Sequence, residues 1–249
     1  MGEVVAMPRL EVLEVKSQLS IPPTPIVCSL TLDHLRALDL SVDAPNLDFL
    51  THITCPAGVS LRMSIHHDFL NSDAFSSIFH VTTAFVTQGR APLVIKTLLL
   101  YAHSPWNLSL KFWPRIILPD EITVPYSDST CLELSFETAT PIDLMGICNH
   151  LARDNLVAQL DTLSLRFGQD RWPSEPILSL ASAFSPLDSI RVFIAKDWQG
   201  PHVHELLSTK LSSPSEQYIF PNLKAVVTGG GHYHPYPGVA MFCLCPKPH

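Results

Sequence analysis

Apolar positions recur along this chain in one phase. In "MPRLEVLEV" they fall at Met7, Leu10, Leu13 and Val15, and in "LDHLRALDL" at Leu32, Leu35, Leu38 and Leu40. The same φxxφxxφxφ spacing, with φ an apolar residue, returns at Val157, Leu160, Leu163 and Leu165, then at Phe184, Leu187, Ile190 and Val192. Ile95, Leu98 and Leu100 make a shortened copy, and Phe220, Leu223 and Val226 before Thr228 a frayed one. The closing apolar pair alternates with polar residues, as in a half-buried strand. The apolar residues three apart describe the turn or helix end that leads into it. One such unit cannot bury its apolar edge alone, so successive units stack. Aligning Leu13, Leu38, Leu98, Leu163, Ile190 and Val226 gives steps of 25, 60, 65, 27 and 36 residues. The two long steps hold further strand candidates: "VSLRMSI" in the first, "LSLKFW" and "LELSFE" in the second. The period is then roughly 20–36 and irregular, near the leucine-rich-repeat range.

Between these strands the spacing predicts helices. "SDAFSSIFHVTTAFV" places Phe75, Ile78, Phe79 and Phe85 near helical spacing, with Ser72 or Asp73 able to cap it. "TPIDLMGICNHLARDNL" offers Thr140 as N-cap, Pro141 at the first helical position and Asp143 in the first turn. "NLDFLTHI", "EPILSLASAF" and "HVHELLSTKL" read as shorter helices. Strands alternating with helices predict a parallel sheet. The expected fold is α/β: an irregular leucine-rich-repeat-like solenoid, its curved, mostly parallel sheet carrying helices on the convex side. It spans residues 1–228, and residues 229–249, rich in Pro and Gly, form an irregular tail.

Side chains alternate along a strand, so the residues between the buried ones point to the concave surface. They are Val12, Glu14 and Lys16; Ala37, Asp39 and Ser41; Thr162, Ser164 and Arg166; Ser189, Arg191 and Phe193. This face would run from acidic at its N-terminal end to basic later on. Repeat proteins bind with this surface, and Arg and aromatic residues such as Arg191 and Phe193 are enriched in interface cores. The partner-binding candidates are therefore Glu14, Lys16, Asp39, Ser41, Ser164, Arg166, Arg191 and Phe193. The alternative is a merely solvated sheet face.

Composition narrows this picture. With 46% hydrophobic and 16% charged residues in 249, the chain has the means to build a core and is too apolar for a disordered segment. A net charge of −7 argues against nucleic acid as the partner, since phosphates require a basic face. No secretory signal is read at the start, and the most apolar window, "APLVIKTLLLYA", is too short to span a bilayer. A cytoplasmic or nuclear protein without a membrane partner is expected. Six cysteines without a secretory signal read as free thiols, five of them beside an apolar residue.

The stretch "LDHLRALDLS" followed by "NLDFLTHITCPAGVSLRMSI" resembles the C-terminal leucine-rich region of fungal F-box-like proteins. There a leucine-rich strand leads to a short helix, then h-x-C-P-x-x-x-x-L, then another strand. "FPNLKAVV" is similar to their late repeats, and the likeness covers roughly residues 7–228. The resemblance implies a substrate receptor of a cullin–RING ubiquitin ligase, whose F-box binds a Skp-type adaptor while the repeats hold the target. The F-box itself is not found. "LPDEI" at 118–122 begins like one, but Thr123, Val124 and Pro125 follow, and Pro125 breaks any helix already begun. That stretch reads as a loop, which leaves binding of the adaptor in doubt.

Candidate chemistry is sparse. His232, His234, Cys243 and Cys245 could make a tetrahedral zinc site, but H-x-H and C-x-C are tighter than the usual spacings and lie in the tail. "GGG" at 229–231 lacks a Walker lysine or a dinucleotide fingerprint, so no cofactor is expected. His66–His67 and His202–His204 have no paired carboxylates beside them in sequence, and no G-x-S-x-G occurs. The reading is a non-enzymatic, protein-binding repeat scaffold, with a ubiquitination target as the partner the resemblance suggests. Two alternatives remain: an α/β enzyme with an unrecognised site, or a truncated gene product. A catalytic cluster at the C-terminal ends of the strands would favour the enzyme.

Overall fold

The structure, a computed structural model, describes residues 9–19, 29–56, 58–88, 93–117, 131–168, 176–195, 219–229 and 240–244. Within these, the side chains of 16–19, 44–46, 176–178, 229 and 240–244 are outside the description. The segments "LPDEI" and "HVHELLSTKL" lie outside the described residues altogether.

Twelve strands are described, and ten of them form one open sheet. They are β1 (Val12–Leu19), β2 (Leu30–Thr31), β3 (Ala37–Asp43), β4 (Ile53–Thr54), β5 (Ser60–His67), β6 (Thr97–Ser104), β7 (Asn107–Trp113), β8 (Leu132–Thr138), β9 (Thr162–Phe167), β10 (Val192–Ala195), β11 (Ala225–Gly229) and β12 (Ala240–Leu244). The large sheet runs β1-β3-β5-β8-β7-β6-β9-β10-β11-β12, while β2 and β4 pair separately. All pairs in the large sheet are parallel except those of β7, which is antiparallel to both β6 and β8. The fold is therefore α/β with a mostly parallel sheet, as the strand–helix alternation predicts. The tight turn between β6 and β7, "SPWN", explains the departure, because a two-residue turn can only join antiparallel strands. β5 fills the first long step in the apolar repeat; this meander fills the second with β7 and β8, and sets β8, not β6, beside β5.

The repeat phase is visible in the register. Leu13, Leu38, Leu61, Leu132, Phe112, Leu98, Leu163, Phe193 and Val226 are successive partners across nine strands. Leu13 is partly buried and the other eight are fully buried. Five of the six residues aligned from sequence stand in this row; the sixth, Ile190, does not. In that copy Leu187, Ile190, Phe193 and Ala195 fill the four apolar positions. Phe184, just past a helix end, supplied an extra apolar residue three positions early and shifted the phase.

The helices pack on this apolar face. They are α1 (Ser72–Val86), α2 (Leu144–Arg153), α3 (Pro176–Ala183) and a 3-10 helix at Ala44–His52. Phe75 and Phe79 of α1 lie against Phe136 and Phe112 of the sheet, at ring separations of 5.9 and 5.5 Å. Each fully buried Leu or Phe contributes about 1.5–3 kcal/mol. A register slip of one residue would turn a whole strand's set away from the helices, so the register is strongly specified.

Helix starts differ from the expectation by small, explicable amounts. Asn71, rather than Ser72 or Asp73, caps α1: its Oδ1 accepts the Ala74 N–H at 2.8 Å. Asp143, not Thr140, caps α2, its Oδ1 accepting the Gly146 N–H at 2.9 Å. Residues 140–142 stay outside the helix because tertiary bonds claim them first. The Thr140 N–H donates to Asp68 O at 3.2 Å and the Ile142 N–H to Pro105 O at 2.8 Å. A second difference lies in the expected irregular tail, where Ala240–Leu244 forms β12, parallel to β11. The apolar run "AMFCL" can join a sheet even between Pro-rich flanks.

Candidate binding face

On the side of the sheet opposite the helices, β1, β3, β5, β8 and β7 present polar side chains in rows. The first row is Glu14, Asp39, Arg62, Glu133 and Lys111. Its charges alternate from Asp39 onward, and register pairing sets them side by side. Arg62 Nε donates to Glu133 Oε2 at 3.1 Å, Arg62 Nη1 reaches Asp39 Oδ2 at 3.4 Å, and Lys111 Nζ reaches Glu133 Oε1 at 2.8 Å. The Glu133 side chain, only 12% exposed, thus has a cation on each oxygen. The Arg62 pKa is moved by burial, which lowers it, and by Glu133 and Asp39, which raise it; the net direction is upward.

The second row is four serines, Ser41, Ser64, Ser135 and Ser109, ending at Tyr101 and then Arg166. Ser109 Oγ lies 3.2 Å from Ser135 Oγ and 3.1 Å from His103 Nε2. The rings of Tyr101 and His103 sit with centroids 3.7 Å apart. Burial first, and the charge of Lys111 second, hold the His103 pKa below the ordinary histidine value. The third row, at the carboxyl ends of β3, β5 and β8 and the amino end of antiparallel β7, is Asp43, His66, Glu137 and Asn107. His66 Nδ1 lies 3.5 Å from Glu137 Oε2, and its Nε2 lies 3.4 Å from Ser41 Oγ.

Members of the second and third rows, with His103, line an open groove of about 360 Å³. Its polar lining is Ser64, His66, His103, Asn107, Ser109, Ser135 and Glu137. The turn that closes the β6–β7 end is fixed by Ser104, whose Oγ accepts the Trp106 N–H at 3.2 Å and an Asn107 side-chain N–H at 3.4 Å. Exposed Trp106 and Phe69 follow β6 and β5 at this same end of the sheet.

The other half of the face is apolar. Leu99, Trp113, Ile117, Ile194 and Val227 form a second buried cluster there. Among the described residues, Trp113 Nε1 and Ser164 Oγ are buried without a hydrogen-bond partner.

The residues expected to bind a partner divide accordingly. Glu14, Asp39 and Ser41 stand on the polar half, as does the backbone position of Lys16, whose side chain is outside the described residues. Ser164 and half-buried Arg166 point to the same face but sit in its apolar half, and Ser164 is fully buried. Arg191 precedes β10 and is exposed, its Nε 3.8 Å from Asp161 Oδ2. Phe193 does not reach this face: it is 0% exposed on the helix side, its ring 5.5 Å from that of Phe220. The phase shift at Phe184 is the reason. Sequence reading missed Arg62, Ser64, Lys111, Glu133 and Ser135, although their strands were recognised. Extending the face alternation to "VSLRMSI", "LSLKFW" and "LELSFE" would have found them.

His232, His234 and Cys245 lie outside the described residues, as does the side chain of Cys243, so the zinc candidate rests on sequence alone. Among the described residues no three His, Cys, Asp or Glu side chains gather to hold a metal ion. Nor, among these residues, is any helix long and apolar enough to cross a membrane. The chain matches no protein-family model, no curated protein and no solved structure.

Proposed function

We propose that the chain is a non-enzymatic scaffold that binds another protein on the polar half of its helix-free sheet face. The carrying observation is the rows themselves. Four adjacent strands hold Asp39, Arg62, Glu133 and Lys111 in mutual ion pairs beside an in-register line of serines. Side chains fixed in this way lose little freedom when a partner lands on them. An irregular, leucine-rich-repeat-like solenoid, with a cytoplasmic or nuclear location, suits this reading. So does kinship with the substrate-recognition part of F-box-type ubiquitin-ligase receptors. The test is affinity purification of the tagged chain from its native cells beside a Ser64→Arg variant. Ser64 is exposed in the middle of the serine row, so Arg should block the face without disturbing the core. Proteins enriched by the parent and lost with Ser64→Arg support the reading; no difference between the two overturns it. Recovery of a Skp-type adaptor would add the ligase role, and its absence would leave a detached scaffold.

One observation favours the α/β enzyme as a second reading. Ser41, His66 and Glu137 stand in line across β3, β5 and β8, at the carboxyl ends where ligands bind in open α/β sheets. A serine, a histidine and a carboxylate in that order have the roles of nucleophile, base and orienting group. A fluorophosphonate probe that labels the native chain but not Ser41→Ala would establish it; no labelling removes it.

A further inference from the structure

The groove between β5 and β7 has the chemistry of a cation seat. We infer that it receives a lysine or arginine side chain carried by an extended segment of the bound protein. This inference rests on the scaffold reading and names the partner's chemistry.

The lining supplies acceptors and one exposed carboxylate. Ser64, Ser109, Ser135 and Asn107 offer oxygens, and Glu137, its side chain 67% exposed, stands at the edge. The cations nearest in the register, Arg62 and Lys111, are occupied one row away by Asp39 and Glu133. Arg166 lies beyond Tyr101, two strands from Ser109. Among the described residues Glu137 meets His66, at 3.5 Å and through one oxygen. His103 on the opposite wall has its pKa pushed down by burial and by Lys111, so near neutral pH it adds no repelling charge. A guanidinium matches a carboxylate through two parallel N–H bonds, and an ammonium has three donors for the serine oxygens. The volume, about 360 Å³, suits one long side chain better than a folded surface. At long range the chain's net charge of −7 attracts a basic partner. A metal cation is a poorer occupant, since among the described residues no third His, Cys, Asp or Glu side chain joins His66 and Glu137 to hold one.

An exposed ion pair alone is worth little. Affinity for the seat therefore depends on the carboxylate and the hydroxyls acting together, which makes Glu137 the informative position. The experiment measures anisotropy of two fluorescein-labelled octapeptides, alternating Arg-Ser and alternating Glu-Ser, at about 50 and about 300 mM salt. The Arg-Ser peptide should bind and weaken with salt. Glu137→Gln should lower its affinity about tenfold, while Asp73→Asn on the exposed side of α1 should leave it unchanged. Equal binding of the two peptides overturns the inference. So does an equal effect of Glu137→Gln and Asp73→Asn. If the Arg-Ser peptide fails while Ser64→Arg still loses its captured proteins, the cation seat falls and the scaffold stands. If both fail, both fall.

Discussion

The placement of Phe193 separates two phasings of the apolar repeat, and replacing it with alanine tests which one the molecule uses. On the phasing read from Phe184, Leu187 and Ile190, residue 193 faces solvent or a partner. Phe193→Ala would then cost little stability and some binding. In the structure the side chain is 0% exposed, in register with Leu163 and Val226, with the Phe220 ring 5.5 Å away. A buried aromatic side chain removes about 150–250 Å² from water. At about 25 cal/mol per Å² this corresponds to about 4–6 kcal/mol as an upper figure. Alanine keeps part of that area, and measured Phe→Ala losses in cores run about 3–5 kcal/mol. The lost ring pair with Phe220 adds about 0.5–1.5 kcal/mol. For a chain of this length, a loss of 3–5 kcal/mol lowers the melting temperature by about 6–20 °C. Urea unfolding followed by far-UV circular dichroism gives the free energy. Val192→Ala, a half-buried neighbour on the opposite face, is the control and should cost less. A Phe193→Ala loss below about 1 kcal/mol, with an unchanged m-value, would refute the register of β10 and the argument built on it.

Three smaller perturbations probe other parts of the structure. Asp143→Ala removes the side chain that caps α2 and should cost about 0.5–2 kcal/mol, with Asp143→Asn recovering most of it in the same urea titration. Cys148 is fully buried, its thiol pushed above the ordinary range first by burial and then by the charge of Asp143. Iodoacetamide should therefore modify half-buried Cys55 in the native protein and spare Cys148 until the chain unfolds, as peptide mass spectrometry can show. His103 should titrate below an ordinary histidine in imidazole NMR, with His103→Gln giving the assignment. Because folding favours its neutral form, its contribution to stability is full above the ordinary histidine pKa and is lost as pH falls through the depressed one. Lys111→Met should raise the midpoint only in part, since burial is the larger cause.

The strands were legible because their apolar and polar positions alternate where one face is buried and the other is not. Leu13, Leu38, Leu98, Leu163 and Val226 could be aligned from spacing alone, and register pairing puts all five in one row. The miss at Phe193 has the same origin. A helix end that contributes its own apolar residue, Phe184, mimics one more position of the pattern. Helix starts were less legible. At Thr140 and Ile142, backbone bonds to Asp68 and Pro105 keep the helix from starting earlier, and those partners are remote in sequence. The order β8-β7-β6 was hidden for a similar reason. A tight turn at Ser104–Asn107 reverses one strand, and nothing local says which neighbour β5 will take.

The groove shows most sharply what spacing cannot give. Its lining comes from β5, β6, β7 and β8, with Glu137 standing 71 residues after His66 in the chain. Each of those side chains, read alone, is a polar residue on the solvent side of a strand. They become a candidate site only because the meander brings β8 next to β5, with β7 beyond it. Sequence pattern therefore locates the face, since alternation is local, while the meander decides which polar residues on it become neighbours. It follows that a change to the β6–β7 turn should disturb the groove more than any single substitution on β1, although β1 holds the first residues expected to bind. Glu14 lies on the edge strand, three strands from Glu137 in the sheet order, whereas the turn directly precedes Asn107 in the groove's lining.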